Sequence, residues 1–417
     1  MSRPDAALLA AGSGLFAALL QFAGALKSVP GIDRLPVDLT ALALLALLPS
    51  LFLLLLVRQW RVSAVLGPPL LGAGLLLFWL VLSGGWSRSA HVLAEKLPQI
   101  VLLGPPMLLA GLLVGADGPT RRRFALAVVG IALLVGTAVG WGLAQDRVVL
   151  GGEVGADPAR TRVQYQLAGL AIACGGGVAA VRLVQAGRRG RLGWAAVLGA
   201  LGLAVLLPGG RAALLAFGLG VAGPPALLLW LRGRPAAALG WVGLVAAAGG
   251  AALAALLLLL PQATADLATL DRLFGDPTDQ MPARLILWGE ALRWAGRTAP
   301  FGLGSGSFTI AAGTGDDRHL HPHNHALEAL AEGGLPGLLL WLAAFGGGVA
   351  LAMRQAGRVA PERAAVIAAL TLPVGLTVMV STDLGNRMAW FALGLLFSLA
   401  VEARRPDEAS AAGPAHV

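Results

Sequence analysis

Leu39-Thr-Ala-Leu-Ala-Leu-Leu-Ala-Leu-Leu-Pro-Ser-Leu-Phe-Leu-Leu-Leu-Leu-Val57 contains no charged side chain. A helix rises about 1.5 Å per residue, so a run of this length reaches about 30 Å, the hydrocarbon thickness of a bilayer. Comparable runs recur at 6–26, 62–82, 98–115, 125–144, 166–184, 194–210, 212–231, 238–260, 335–353, 364–383 and 388–402. Inside a bilayer a backbone must satisfy its own hydrogen bonds, which restricts such runs to helices. The pattern therefore predicts an all-α integral membrane protein of about 12 transmembrane helices, the seventh and twelfth short. The first run lacks a cleavage site followed by a soluble domain and reads as a retained span, not a signal peptide.

Composition excludes a soluble domain. Of the 417 residues 57% are hydrophobic and 13% charged, against about 25% charged in soluble proteins. The 58 glycines suit close helix packing in lipid. The single cysteine, Cys174, rules out a disulfide within the chain. Basic residues are biased to one side. With both termini inside, Arg58, Arg61, Arg121, Arg122, Arg123, Arg182, Arg188 and Arg189 are inner, and the short outer loops hold fewer. This asymmetry sets orientation and accounts for the net charge of +9 without any nucleic-acid partner.

The organisation that follows has four parts: helices one to nine over 1–260, a long outer loop at 261–334, helices ten to twelve over 335–403, and an inner tail at 404–417. Short amphipathic helices are expected inside the loop. Residues 284–294 place Leu285, Trp288 and Leu292 on one face, with tryptophans suited to the headgroup zone. A glycine-rich turn, Phe301 to Phe308, comes next. A second helix is predicted from near Pro322 to Gly333-Gly334, with His319 and His321 on its lead-in and His323 in its first turn.

Four of the six histidines lie together in Arg318-His-Leu-His-Pro-His-Asn-His325, while His91 and His416 stand alone. A helix N-terminus opposes protonation of His323, leaving a neutral imidazole able to accept a proton from a hydroxyl. Asn324 is placed to orient a neighbouring group. Alternating histidines also suit zinc or copper, yet no cysteine or carboxylate stands at a useful spacing, and the helix start breaks the alternation. No resident metal or other cofactor is expected. Arginines form the second constellation. Arg211 lies where two spans meet, Arg284 starts the amphipathic helix, and Arg387 follows Asp383 between the last two spans; Arg88 and Arg162 occupy other outer loops. Charges at such junctions are costly and usually functional. Guanidinium groups grip phosphate bidentately, so this set suits a pyrophosphate at the membrane face.

The pattern His323-Asn324-x9-Gly334-x2-Gly337 resembles the signature of the O-antigen ligases, within a wider ligase and polymerase superfamily. The Gly-Arg-x-x-Leu junction at Arg211, the Arg284-x3-Trp288 helix with Gly302-x-Gly304, and the Asp383…Asn386-Arg387…Trp390 hairpin agree with it. The likeness spans roughly 200–395. It implies a GT-C-like, metal-independent, inverting glycosyltransferase of the bacterial inner membrane, with cytoplasmic termini and a periplasmic loop and active site. The donor would be a glycan on undecaprenyl pyrophosphate and the acceptor lipid A–core oligosaccharide, with membrane lipids as surroundings. His323 would be the general base, and Arg211 and Arg284 would hold the pyrophosphate. Asn324, Arg88, Arg162, Asp383 and Arg387 would support them. An O-antigen polymerase or a protein O-oligosaccharyltransferase would look similar and differ in acceptor. A lipid or metal transporter should show mid-membrane charges and an internal repeat, and charge-free spans such as 39–57 and 238–260 speak against it.

Overall fold

The structure is a computed structural model that describes residues 3–150, 159–259, 269–270 and 281–404. The rest of the tail, with His416, and most of 261–280 lie outside the described residues. The N-terminal part is α1 (Arg3–Leu26), α2 (Leu39–Val57), α3 (Gly67–Ser83), α4 (Ala90–Pro98), α5 (Gly104–Ala116) and α6 (Gly118–Ala144). Then come α7 (Tyr165–Gln185), α8 (Arg188–Ala204), α9 (Arg211–Leu231) and α10 (Pro235–Leu259). After these come α11 (Met281–Arg297), α12 (Phe308–Ala311), α13 (His325–Trp341), α14 (Gly347–Ala356), α15 (Pro361–Val380) and α16 (Arg387–Ser398).

The protein is an all-α membrane protein. Among the described residues, ten helices are long and apolar enough to cross a bilayer. Each of the twelve expected runs coincides with a helix, and the two expected to be short, α8 and α16, fall below that length. Among the described residues, strand structure is confined to two small ladders. Gln59–Val62 pairs antiparallel with Val401–Arg404, and Val148–Leu150 pairs parallel with Thr161–Val163.

Packing assigns the helices unequal roles. Of the most apolar window of α7, 78% is buried, against none of that of α10. α7 is the hub, touching α6, α8, α9 and α15, whereas α10 leans on α9 at the rim. α5 and α16 form the closest pair. A Cβ on Gly111 would lie 2.1 Å from the Phe391 carbonyl, and one on Gly394 would lie 2.1 Å from that of Leu108. Small residues are what allow this approach, and without a hydrophobic drive between lipid-embedded helices such contact is the main source of association.

The segment around the histidines departs from expectation in two ways. α13 begins at His325, not near Pro322, because the Asn324 side chain accepts the Leu327 N–H at 3.0 Å and caps the helix there. His323 therefore precedes the helix, in a left-handed conformation with φ 55°, and shares no helical face with Leu327 and Leu330. The expected end at Gly333-Gly334 is a kink. Gly334 takes φ 66° and ψ −161°, the helix resumes, and 325–356 runs on as one apolar span.

That kink is where the glycine-rich turn docks. Leu303 and Gly304 donate to the carbonyls of Ala331 and Glu332, each at 2.9 Å, and Leu335 donates to that of Pro300 at 2.8 Å. A Cβ on Gly334 would lie 2.1 Å from the Pro300 oxygen. Beneath it Lys96 bridges the carboxylates of Glu328 and Glu332, all three side chains nearly fully buried. Glu332 also accepts the Gly306 N–H and Glu328 the Leu384 N–H, both at 2.9 Å. One buried ion cluster thus ties α4, the glycine turn, α13 and the loop before α16.

Candidate active site

α11 brings the first arginine to the histidines. Arg284 and Trp288 are one turn apart and share a face. The Trp288 indole donates to the Pro322 carbonyl at 2.8 Å, which fixes that face against the residue before His323. Leu287 and Ala291 of the same helix are buried against Phe308 and Ala331, while Leu285 and Leu292 stay exposed. The exposed pair belongs to the face expected to meet headgroups.

Arg211 arrives from the other side of the bundle. It is the first residue of α9, after Gly209 at φ 87° and an N-cap, Gly210, that offers no side-chain bond. Together Arg211 and Arg284 line a cavity of about 270 Å³, whose walls include Tyr165, Gln166, Trp288 and Ser381. The first turn of α9 opens into it, so the positive end of that helix adds to the two guanidiniums. An anion is the fitting occupant.

A second cavity of about 600 Å³ holds His319, His321, His323, Arg318, Asp383 and Gln99. Tyr165, Gln166, Leu170, Thr377 and Ser381 line both cavities, which are thus two lobes sharing one wall. Three buried polar atoms at these lobes have no hydrogen-bond partner among the described residues: Nδ1 of His323, Nε of Arg211 and Oγ of Ser381. Buried polar groups are ordinarily satisfied, so three orphans around one space mark a site built for a polar ligand.

The electrostatics favour a neutral base. Burial lowers the His323 imidazole below the usual histidine value, and the nearby Arg284 cation lowers it further, against a smaller opposing pull from the Ser381 backbone and Asp383. His321 is pushed down to about 3, chiefly by burial. Its Nδ1 accepts the His323 backbone N–H at 3.0 Å, so the neutral ring carries its proton on Nε2. For Asp383, burial works to raise the carboxyl, but His321, Arg318 and Lys96 outweigh it and the group stays ionised. With His321 neutral, Arg318 at 2.6 Å is the partner that acts near neutral pH.

The four clustered histidines diverge. His319 is exposed beside Asp317, His321 and His323 pack ring to ring, and His325 is buried with Nε2 2.9 Å from the Thr382 hydroxyl. Among the described residues no three His, Cys, Asp or Glu groups converge as metal ligands. Asn324 supports the site from outside it. Besides capping α13 it donates to the Met379 carbonyl at 3.0 Å, fastening the histidine segment to α15. The structure does not bring the remaining arginines to this space. Arg88 is exposed over the Trp294 ring at 5.9 Å, Arg162 is exposed in its strand, and Arg387 points toward α1, close to Gly24.

Residues 194–342 match the family model described as O-antigen ligase. This stretch is similar to that family. It holds Arg211, Arg284, His323 and both glycines of the spaced motif, and the geometry explains the motif's spacing. Asn324 starts the helix, Gly334 turns it against the glycine loop, and Gly337 leaves room for the Ala329 carbonyl, 2.5 Å from where its Cβ would stand. Tyr165, Gln166, Ser381 and Asp383 complete the two lobes from outside the matched stretch. A search of curated proteins gives no match.

Sequence reasoning placed His321 beside His323 but missed its bond to the His323 backbone, the Arg318–Asp383 pair and the Lys96 cluster. A signal existed for the last. Glu328 and Glu332 stand four apart at the head of an apolar span, where carboxylates are too costly to bury unless paired.

Proposed function

We propose that this chain is an inverting glycosyltransferase that moves O-antigen polysaccharide from undecaprenyl pyrophosphate to lipid A–core oligosaccharide. It would do so at the periplasmic face of the bacterial inner membrane, as a multi-pass protein with both termini cytoplasmic. The family assignment supports a ligase- or polymerase-type glycosyltransferase. One observation carries the finer reading: the two arginines and His323 face adjoining lobes across a shared wall.

In this reading the diphosphate of the donor rests between Arg211, Arg284 and the first turn of α9. The acceptor sugar enters the larger lobe, beside Gln99, Gln166 and the Arg318–Asp383 pair. His323 takes the proton of the acceptor hydroxyl as its oxygen attacks the anomeric carbon from the face opposite the leaving group. The bond from that carbon to the diphosphate breaks, inversion results, and undecaprenyl pyrophosphate leaves with its charge held by the guanidiniums. No covalent enzyme intermediate is needed for a single displacement. Arginine supplies the charge neutralisation that metal ions provide elsewhere.

Lipopolysaccharide banding of a deletion strain tests the assignment. Loss of all long-chain bands with accumulation of polymerised lipid-linked glycan supports the ligase. Caps of a single repeat would instead assign a polymerase, and unchanged banding with an altered glycoprotein would assign a protein O-oligosaccharyltransferase.

A further inference from the structure

At the end of the bundle away from His323, arginines converge a second time. Arg121, Arg122 and Arg123 come from the first turns of α6, Arg182 from the last turn of α7, and Arg363 from the first turn of α15. All five line a cavity of about 490 Å³, together with Ala7, Ala10 and Val366. Gly118, Arg121 and Arg363 continue into an adjoining cavity of about 610 Å³ that adds Arg61 and Arg358. Among the described residues the one carboxylate facing the first cavity, Glu362, is already engaged by Arg232 at 2.5 Å.

An insertion signal explains why arginines are on this side but not why Arg121, Arg182 and Arg363 turn inward, with Arg122 and Arg123 at the exposed rim. Arginines serving only as topology markers would spread into water. Here Arg182 and Arg363 are half-buried, and the Nε of each is buried with no partner among the described residues. Arg182 has one long bond, 3.4 Å, to Gln185, and Arg363 donates through one terminal nitrogen to the carbonyls of Ser398 and Val401, which leaves its Nε for a ligand. Arg121 donates to the Gly115 carbonyl at 2.5 Å and Glu402 lines the adjoining cavity, yet the five guanidiniums along the first cavity outnumber the carboxylates that face it.

Position narrows the anion. α7 and α15 are 21 and 20 residues long and carry the candidate active site at one end and these arginines at the other. At about 1.5 Å per residue the two sites are about 30 Å apart, one hydrocarbon thickness. We propose that this groove binds the phosphate of an anionic glycerophospholipid headgroup in the leaflet opposite the active site. The arginines fork onto the phosphate oxygens, and Ala7, Ala10 and Val366 meet the apolar part of the lipid. The inference is independent of the transferase reading.

Native mass spectrometry of the full chain in neutral detergent tests this, with phosphatidylglycerol or phosphatidylcholine added at equal concentration. Wild type should retain phosphatidylglycerol and release phosphatidylcholine. R182Q, and R122Q at the exposed rim, should each weaken anionic lipid binding about tenfold, the order expected for one charge-assisted contact. R122Q lies on the surface and keeps the test valid if R182Q misfolds. Equal binding by R122Q and wild type, or equal retention of the two lipids, would overturn the proposal. Displacement of phosphatidylglycerol by millimolar inorganic phosphate would overturn it too, assigning the groove to a soluble phosphate.

Discussion

The backbone N–H of His323 donates to Nδ1 of His321 at 3.0 Å, and the two rings lie 4.1 Å apart. The bond holds His323 in its left-handed conformation, and burial keeps the second ring neutral. In the proposed mechanism His321 is therefore a positioning residue for the proposed base, His323. His321→Ala should lower kcat with little change in KM, and His321→Asn, which still offers an acceptor, should recover part of the loss. Steady-state glycan transfer by the two variants checks this; equal kcat in both would remove the role.

The same ring makes stability pH-dependent. His321 titrates near 3 when folded, against an ordinary 6.5. Below about pH 6.5 the unfolded chain takes up a proton that the folded chain refuses, so this contribution to stability declines as pH falls from 6.5 towards 3. Thermal unfolding in detergent should show that decline in wild type, and a shallower one in His321→Asn.

Arg284 lowers the His323 value, so the charge matters as well as the grip. Arg284→Gln should let that value rise and move the acidic limb of the kcat/KM profile to higher pH. Arg284→Lys should keep the limb in place. Neither Arg284→Lys nor Arg211→Lys should restore transfer, because an ammonium lacks the planar fork that matches a diphosphate. Full activity in both lysine variants would reduce these residues to arginines that merely reach for headgroups.

If guanidiniums neutralise the leaving diphosphate, chelation should not matter. Purified enzyme with lipid-linked donor and lipid A–core acceptor should turn over at an unchanged rate in excess EDTA. A collapse rescued by zinc or magnesium would contradict the arginine account.

The Lys96 cluster gives a structural prediction. Lys96→Met leaves two carboxylates buried against each other, a loss of about 3–5 kcal/mol. The triple change K96M/E328Q/E332Q removes the stranded charges and should regain much of the lost thermal stability in detergent.

The helices were legible in the sequence because each apolar run answers to the bilayer alone, whatever its neighbours. Arg211, Arg284 and His323 were legible because charges at span junctions are expensive and family spacing singled them out. Two things were not. Proline at 322 suggested a helix start, and the structure places it three residues later because the Asn324 cap outweighs the proline preference. Arg88, Arg162 and Arg387 share one end of the bundle with the site but not its space, since sequence gives the end of the bundle on which a residue emerges and not the direction it faces. The roles of Arg318 and His321 were not legible for the same reason: their partners, Asp383 and the His323 backbone, are brought to them only by the packed fold.

The account turns on His323 as the base. The most direct measurement is transfer by purified His323→Ala beside its binding of lipid-linked donor. Loss of the base should slow transfer by ~10²–10⁴-fold, with donor binding close to wild type because Arg211 and Arg284 are intact. Near-normal transfer by this variant, with His321→Ala inactive, would contradict the account and move the base to the neighbouring ring.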